Sequence, residues 1–145
     1  MSAVILADTL LVFIFLTCLL AFVKGGAPER IGAAVILANL VIGAANEALG
    51  QDQRIVLCID GMTALVLLTV AVRYASFWLG GVMLLYGVQF ALHAFYFVLE
   101  RPRDSLHVAV NNGNFLAIGL CLAAGTAMNW MRSRNKTASQ SGAAP

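Results

Sequence analysis

The sequence predicts an all-helical, polytopic integral membrane protein, built as a bundle of five transmembrane helices with short antiparallel connections. Two observations support this fold class. Of the 145 residues, 61% are hydrophobic and only 11% are charged, whereas soluble domains carry about 25% charged residues. The charges also occur in short clusters between long apolar segments, so the outer surface of the bundle is expected to face lipid.

Five apolar segments approach or exceed the length of about 20 residues that a helix needs to cross a bilayer. They are residues 3–23, 31–49, 55–72, 77–99 and 106–131. The second is the least regular, because Asn39, Asn46 and Glu47 interrupt it. We therefore expect residues 1–131 to form one transmembrane domain. Residues 132–145 begin with basic residues, continue with Ser, Ala and Gly, and are predicted to form a disordered cytoplasmic tail.

The distribution of basic residues predicts the orientation of the bundle. Lys and Arg are enriched in cytoplasmic loops, and with five spans the two termini lie on opposite sides. Six basic residues fall on the side of the C-terminus and three fall on the other side. The sequence thus predicts a periplasmic N-terminus and a cytoplasmic C-terminus. The six are Lys24, Arg30, Arg73, Arg132, Arg134 and Lys136, and the three are Arg54, Arg101 and Arg103.

Polar side chains within the spans concentrate in the half that is predicted to be periplasmic. At about 1.5 Å of rise per residue, they lie within roughly 13 Å of the nearest outer turn. Charged groups are costly in hydrocarbon, so these side chains are expected to face protein or water. The members of this set are Asp8, Glu47, Asp60, His93, Asn111 and Asn114.

Two groups of candidate site residues follow from depth and helical spacing. The first would bind a ligand or protons in a polar cavity and consists of Asp60, Glu47, Gln89, His93 and Tyr86. The second would pack helices together through small side chains and interhelical hydrogen bonds, and consists of Asn39, Gly43, Asn46, Asn111 and Asn114. The alternative for the first group is a structural role, in which these side chains, like those of the second group, only hold the helices together. Aromatic residues at the inner boundary are expected to form an interfacial belt: Tyr74, Phe77, Trp78 and Trp130.

Motifs for haem attachment, zinc binding or phosphate binding are absent from the sequence. We therefore predict no cofactor, no metal site, no nucleic-acid partner and no enzymatic activity. His93 and His107 are the only histidines that could ligate a haem axially. Their expected depths differ by roughly 7 Å, which would strain bis-histidine ligation.

Four features resemble a loose family of small membrane proteins. They are residues 25–32 at the start of the second span, Asp60 in the third, and Phe77-Trp78 and the pair Gln89 and His93 in the fourth. The family is that of uncharacterised, multi-span inner-membrane proteins of alphaproteobacteria, and the likeness covers most of the chain. Because the family has no assigned activity, the resemblance implies a bacterial inner membrane and no particular mechanism.

Three functional hypotheses remain open at this point. The first is a non-enzymatic subunit or accessory protein of a larger inner-membrane assembly, because the chain has no soluble domain and no catalytic motif. The alternative is a small oligomeric proton-coupled carrier or channel with a polar cavity in its outer half. A further alternative is a quinone- or haem-binding membrane protein that uses Tyr86, Gln89 and His93. The expected partners are the lipid bilayer, other membrane subunits, or further copies of the chain.

Overall fold

The computed structural model describes residues 3–50, 52–102 and 104–141, and all regular structure in these ranges is helical. The helices are α1 (Ala3–Lys24), α2 (Ala27–Leu49), α3 (Gln53–Tyr74), α4 (Phe77–Val98) and α5 (Ser105–Ser141). This confirms the all-helical fold class. Within the described ranges, four helices, α2 to α5, are long and apolar enough to cross a membrane. The role of α1 as a fifth span stays a prediction.

The local sequence explains where α2 and α3 begin. Helix α2 starts before its predicted bound of residue 31, because Pro28 fits the first helical turn, where its missing N–H has no partner to lose. The Glu29 carboxylate also accepts a hydrogen bond from the Gly26 N–H at 2.8 Å. Helix α3 starts after Asp52, whose side chain accepts from the Arg54 N–H at 2.8 Å. Both contacts satisfy N–H groups that a helix start otherwise leaves unpaired.

The predicted tail differs from the structure in most of its length. Helix α5 continues through residues 132–141, the stretch for which the sequence predicted a disordered tail. Residues 132–141 contain neither Gly nor Pro, and nothing in them interrupts a helix that has already begun. Residues 142–145 lie outside the described residues.

The five helices form a closed ring in chain order. Each helix packs against the next, α5 packs against α1, and the contact between α2 and α5 across the ring is small. The C-terminal ends of α2 and α4 and the N-terminal ends of α3 and α5 lie at one end of the bundle, which we call the Asp104 end. The connections 25–26 and 75–76 lie at the opposite end, which we call the Trp78 end.

The interior divides into an apolar half and a polar half. Large buried apolar side chains fill the half nearer the Trp78 end, where helices pack closely. They include Ile14, Ile36, Leu67, Leu79, Val82, Ile118 and Leu122. Buried polar side chains are concentrated toward the Asp104 end and include Asn39, Asn46, Asp60, Thr63, Gln89, His107 and Asn114. The predicted concentration of polar groups in one half of the bundle is therefore present inside the structure.

Trp78 joins three helices at the end that is named after it. Its indole Nε1 donates a hydrogen bond to Oε1 of the buried Glu29 at 3.2 Å. Its ring lies against Gly32 and Gly125, where an added Cβ would come within 3.0 and 2.5 Å of ring atoms. Trp78 is thus packed between α2 and α5, in contrast to Phe77, which is 99% exposed as expected for an interfacial side chain.

The outer surface of the ring is apolar. On α1, Leu11, Val12, Phe15 and Leu16 are each more than half exposed. Such a surface is unfavourable in water and suits a lipid environment. Asp8 is also exposed on α1, so this carboxylate is not among the buried polar groups of the interior.

Candidate functional site

The centre of the polar half is a contact between Asp60 on α3 and His93 on α4. The His93 Nδ1 and Asp60 Oδ2 atoms are 2.7 Å apart, and the two side chains are 14% and 7% exposed. Sequence analysis placed both residues at similar depth on neighbouring helices, and the structure brings them together. Buried ionisable groups of this kind are stable only with such partners.

Asn39 connects this pair to α2. Its amide Nδ2 donates to Asp60 Oδ1 at 3.2 Å and to Thr63 Oγ1 at 3.1 Å. The Asp60 carboxylate therefore has one oxygen on the imidazole and the other on the amide. This arrangement fixes the carboxylate between three helices, which is the interhelical role we expected for Asn39.

Amide groups join α4 to α5 beside this pair. Gln89 Nε2 donates to Asn111 Oδ1. Asn114 Nδ2 donates to Gln89 Oε1 and to the Leu85 carbonyl, each at 2.8 Å. Asn46 differs from the other packing candidates, because its Nδ2 donates to the Asp52 carbonyl in the α2–α3 connection at 3.1 Å and not to a neighbouring helix.

A cavity of about 170 Å³ lies between α2, α3, α4 and α5, and we call it the polar cavity. Its wall contains a carboxylate and an imidazole that are in contact with each other. The residues that line it are Asn39, Gly43, Asn46, Glu47, Val56, Ile59, Asp60, Gln89, His93, Asn111 and Phe115. Glu47 therefore shares the cavity with Asp60 and His93, as expected, although its side chain is more exposed than theirs.

The surroundings of Gly43 and Tyr86 differ from those that the sequence predicted. A Cβ added at Gly43 would meet no atom within 4 Å, so the expected close contact with a neighbouring helix is wrong. The reason is the weak contact between α2 and α5, which leaves the cavity beside Gly43. Tyr86 is only 1% exposed, belongs to the apolar core and is not on the cavity wall. Its hydroxyl has no hydrogen-bond partner among the described residues.

A chain of contacts runs from His93 to the Asp104 end. The ring centroids of His93 and His107 are 5.3 Å apart, and those of His107 and Tyr96 are 4.8 Å apart. Tyr96 donates its hydroxyl to Asp104 Oδ1 at 2.5 Å. The two histidine rings lie against each other, so a haem would not fit between them.

Sequence analysis missed Asp104. Its Oδ1 accepts the His107 N–H at 3.0 Å, and its Oδ2 lies 2.9 Å from an Arg101 guanidinium nitrogen. An acidic residue just before a helix that accepts the N–H three residues later is a common N-cap. The spacing of Asp104 and His107 was therefore the available signal.

Asp104 is expected to make stability depend on pH. Its hydrogen bonds from the Tyr96 hydroxyl and the His107 N–H, with the Arg101 charge, lower the pKa of this carboxyl. A carboxyl whose pKa is lowered in the folded state stabilises the fold at pH values above its pKa in the unfolded state, which is about 3.9. That contribution is lost as the pH falls through the lowered value. Asp104→Asn should therefore melt at a lower temperature than the parent at pH 7, and the difference should shrink below pH 4, measured by circular dichroism in detergent. A constant difference would contradict this.

Among the residues whose positions are described, no three His, Cys, Asp or Glu side chains are grouped so that they could hold a metal ion. Asp60 and His93 contact each other, and the groups beside them are the Asn39 amide, the His107 ring and the other residues of the polar cavity. Comparison of the chain with protein-family models, with curated proteins and with solved structures finds no match.

Proposed function

We propose that this protein binds a small polar solute in the polar cavity and that binding is coupled to protonation of the Asp60 and His93 pair. This is the behaviour of a small proton-coupled carrier or channel. The observation that carries the proposal is the hydrogen-bonded pair itself, almost enclosed and on the wall of a cavity of about 170 Å³. An ionisable residue inside a membrane is costly and commonly marks a solute or proton pathway.

The polar cavity distinguishes this proposal from a purely structural role. Interhelical hydrogen bonds need only closed contacts, and Asn114, which does not line the polar cavity, fits that description. Asp60, Gln89 and His93 are also hydrogen-bonded, yet each keeps part of its surface on the cavity. A histidine exchanges its proton near neutral pH, so this pair is suited to link proton and solute binding.

The proposal includes a location in the membrane. The exposed apolar face of α1 supports its assignment as a fifth span. With five spans, the excess of basic residues at the Trp78 end and the C-terminus favours a cytoplasmic position for that end. The polar cavity would then lie in the periplasmic half. A bacterial inner membrane rests on the family resemblance alone.

The two other hypotheses have less support from the geometry. An accessory subunit that binds a partner chain through the polar cluster has less support, because the amides of this cluster bond within the chain. An accessory subunit whose polar cluster only stabilises the bundle would not need the polar cavity. A quinone site would need Tyr86, Gln89 and His93 on one open surface. Tyr86 is buried in the apolar core and does not line the polar cavity.

The proposal predicts that Asp60 controls proton uptake by His93. In Asp60→Asn a neutral amide replaces the carboxylate that contacts the imidazole, so the signals of the His93 ring should respond to pH differently from those of the parent protein. Imidazole ¹⁵N NMR of the protein in lipid nanodiscs measures this between about pH 5 and 8, with His107→Gln used to assign the two histidines.

Asp8→Asn is the matched control, because it removes the same carboxylate from an exposed position on α1. It should leave the His93 titration unchanged. If Asp60→Asn also left it unchanged, or if both variants shifted it equally, the coupling of this pair would be refuted.

A further inference from the structure

A second cavity of about 270 Å³ adjoins the polar cavity between α1, α2 and α5, and we call it the apolar lobe. Five residues line both spaces: Asn39, Gly43, Glu47, Asn111 and Phe115. The remaining wall of the apolar lobe is mostly aliphatic and consists of Leu10, Leu11, Ile14, Leu40, Ala44 and Asn112. The polar cavity and the apolar lobe therefore adjoin along the side chains of α2 and α5 that they share.

Apart from the His93 imidazole, the ionisable groups that line the two cavities are carboxylates. Among the described lining residues, Asp60 and Glu47 are carboxylates and His93 is the only basic group, because neither Lys nor Arg lines either cavity. Asp60 is the better placed carboxylate, since it is nearly enclosed, whereas Glu47 is exposed and has an interaction of its own. Such a wall favours a positive charge and disfavours a negative one.

From this arrangement we infer that the site takes an organic ammonium compound with an apolar substituent. The ammonium group lies in the polar cavity near Asp60, and the apolar substituent occupies the apolar lobe. This rests on the proposed function and names its substrate class. Sites for small molecules commonly combine an apolar wall with a few polar groups that fix orientation.

The same geometry links the ammonium ligand to the proton on His93. The Asp60 carboxylate is balanced either by the imidazolium or by the ligand, and two positive charges side by side repel each other. The other groups around His93 are Glu47 across the cavity on α2, the His107 ring on α5, and Tyr96 on its own helix. Binding of the ammonium group should therefore release a proton, and the affinity for it should rise as the pH rises.

Three probes of equal chain length distinguish the contribution of charge to binding from that of hydrophobicity. Hexylammonium, hexanol and hexanoate are added to the protein in nanodiscs and followed by isothermal titration calorimetry, with empty nanodiscs subtracted for partitioning into lipid. Hexylammonium should bind about tenfold or more tightly than either other probe. It should also release a proton, seen as a dependence of the heat on the ionisation enthalpy of the buffer. Equal or tighter binding of hexanoate would overturn the proposed substrate class.

Substitutions at two glycines test the role of the apolar lobe. Gly43→Leu would extend into the junction of the two cavities without meeting an atom within 4 Å of its Cβ. Gly87→Leu is the control, because Gly87 is also helical and open but lines neither of these cavities. Gly43→Leu should weaken hexylammonium binding about tenfold while methylammonium, which has no chain to place, is unaffected. Unchanged hexylammonium binding in Gly43→Leu would refute a ligand in the lobe.

The outcome for the substrate class is separable from that for the proposed function. If His93 responds to Asp60→Asn but the ammonium probe has no advantage, the substrate class is wrong and the proton-binding pair stands. If His93 does not respond to Asp60→Asn, the proposed function fails whatever the probes do. Preferential binding of hexylammonium that is lost in Asp60→Asn supports both.

Discussion

Gly125→Leu is expected to lower the free energy of unfolding by about 3 kcal/mol, because overpacking a closely packed site costs this much. A Cβ at Gly125 would come within 2.5 Å of the Trp78 ring. The ring would have to move away from α5, and its hydrogen bond to the buried Glu29 would lengthen or break. Unfolding in mild detergent, followed by far-ultraviolet circular dichroism against added denaturant, measures the loss.

Gly113→Leu on the same helix is the matched control. Gly113 is exposed, and a Cβ there would meet no atom within 4 Å, so this variant should be as stable as the parent. A Gly125→Leu variant as stable as Gly113→Leu would mean that Trp78 does not pack against Gly125.

Asp60→Leu is expected to destabilise the bundle by about 3 kcal/mol, since each buried polar group left without a partner costs about 1 to 3 kcal/mol. The substitution removes the acceptor of His93 Nδ1 and one of the two acceptors of Asn39 Nδ2. Asp60→Asn retains an oxygen that accepts hydrogen bonds and should lose much less. Thermal unfolding of both variants at one pH in the same detergent distinguishes them.

Asp8→Leu is the control, because it removes a carboxylate from an exposed position. It should leave the melting temperature close to that of the parent or raise it, because the substituted position lies on the outer apolar surface. If Asp60→Leu behaved in the same way, the hydrogen-bonded polar interior around Asp60 would not exist.

The sequence was sufficient to predict the helices and part of the site. Long apolar segments separated by turn residues determine where the chain forms helices, and depth with helical spacing placed Asp60 near His93. Both arguments use properties of one helix at a time. They succeed where the partner helix follows directly in the chain, as α4 follows α3.

The remaining features depend on how helices that are distant in the chain approach each other. Gly43 was predicted to lie at a contact because small residues suit one, but α2 and α5 separate there and leave a cavity. Tyr86 shares a helical stripe with Gln89 and His93 but lies about one turn from Gln89 and two turns from His93, in the apolar core. Spacing along one helix does not report where the interior changes from polar to apolar.

Trp78 also supplies an optical signal from one end of the bundle. The chain has two tryptophans, and Trp130→Phe would leave only the indole that donates to the Glu29 carboxylate between α2 and α5. The emission of that indole depends on this hydrogen bond and on the packing around the ring. A ligand in the polar cavity lies in the opposite half of the protein and does not touch the ring. Any change in emission on ligand addition would therefore report relative movement of the helices. Such a change distinguishes a carrier, whose helices move when the ligand binds, from a rigid binding site.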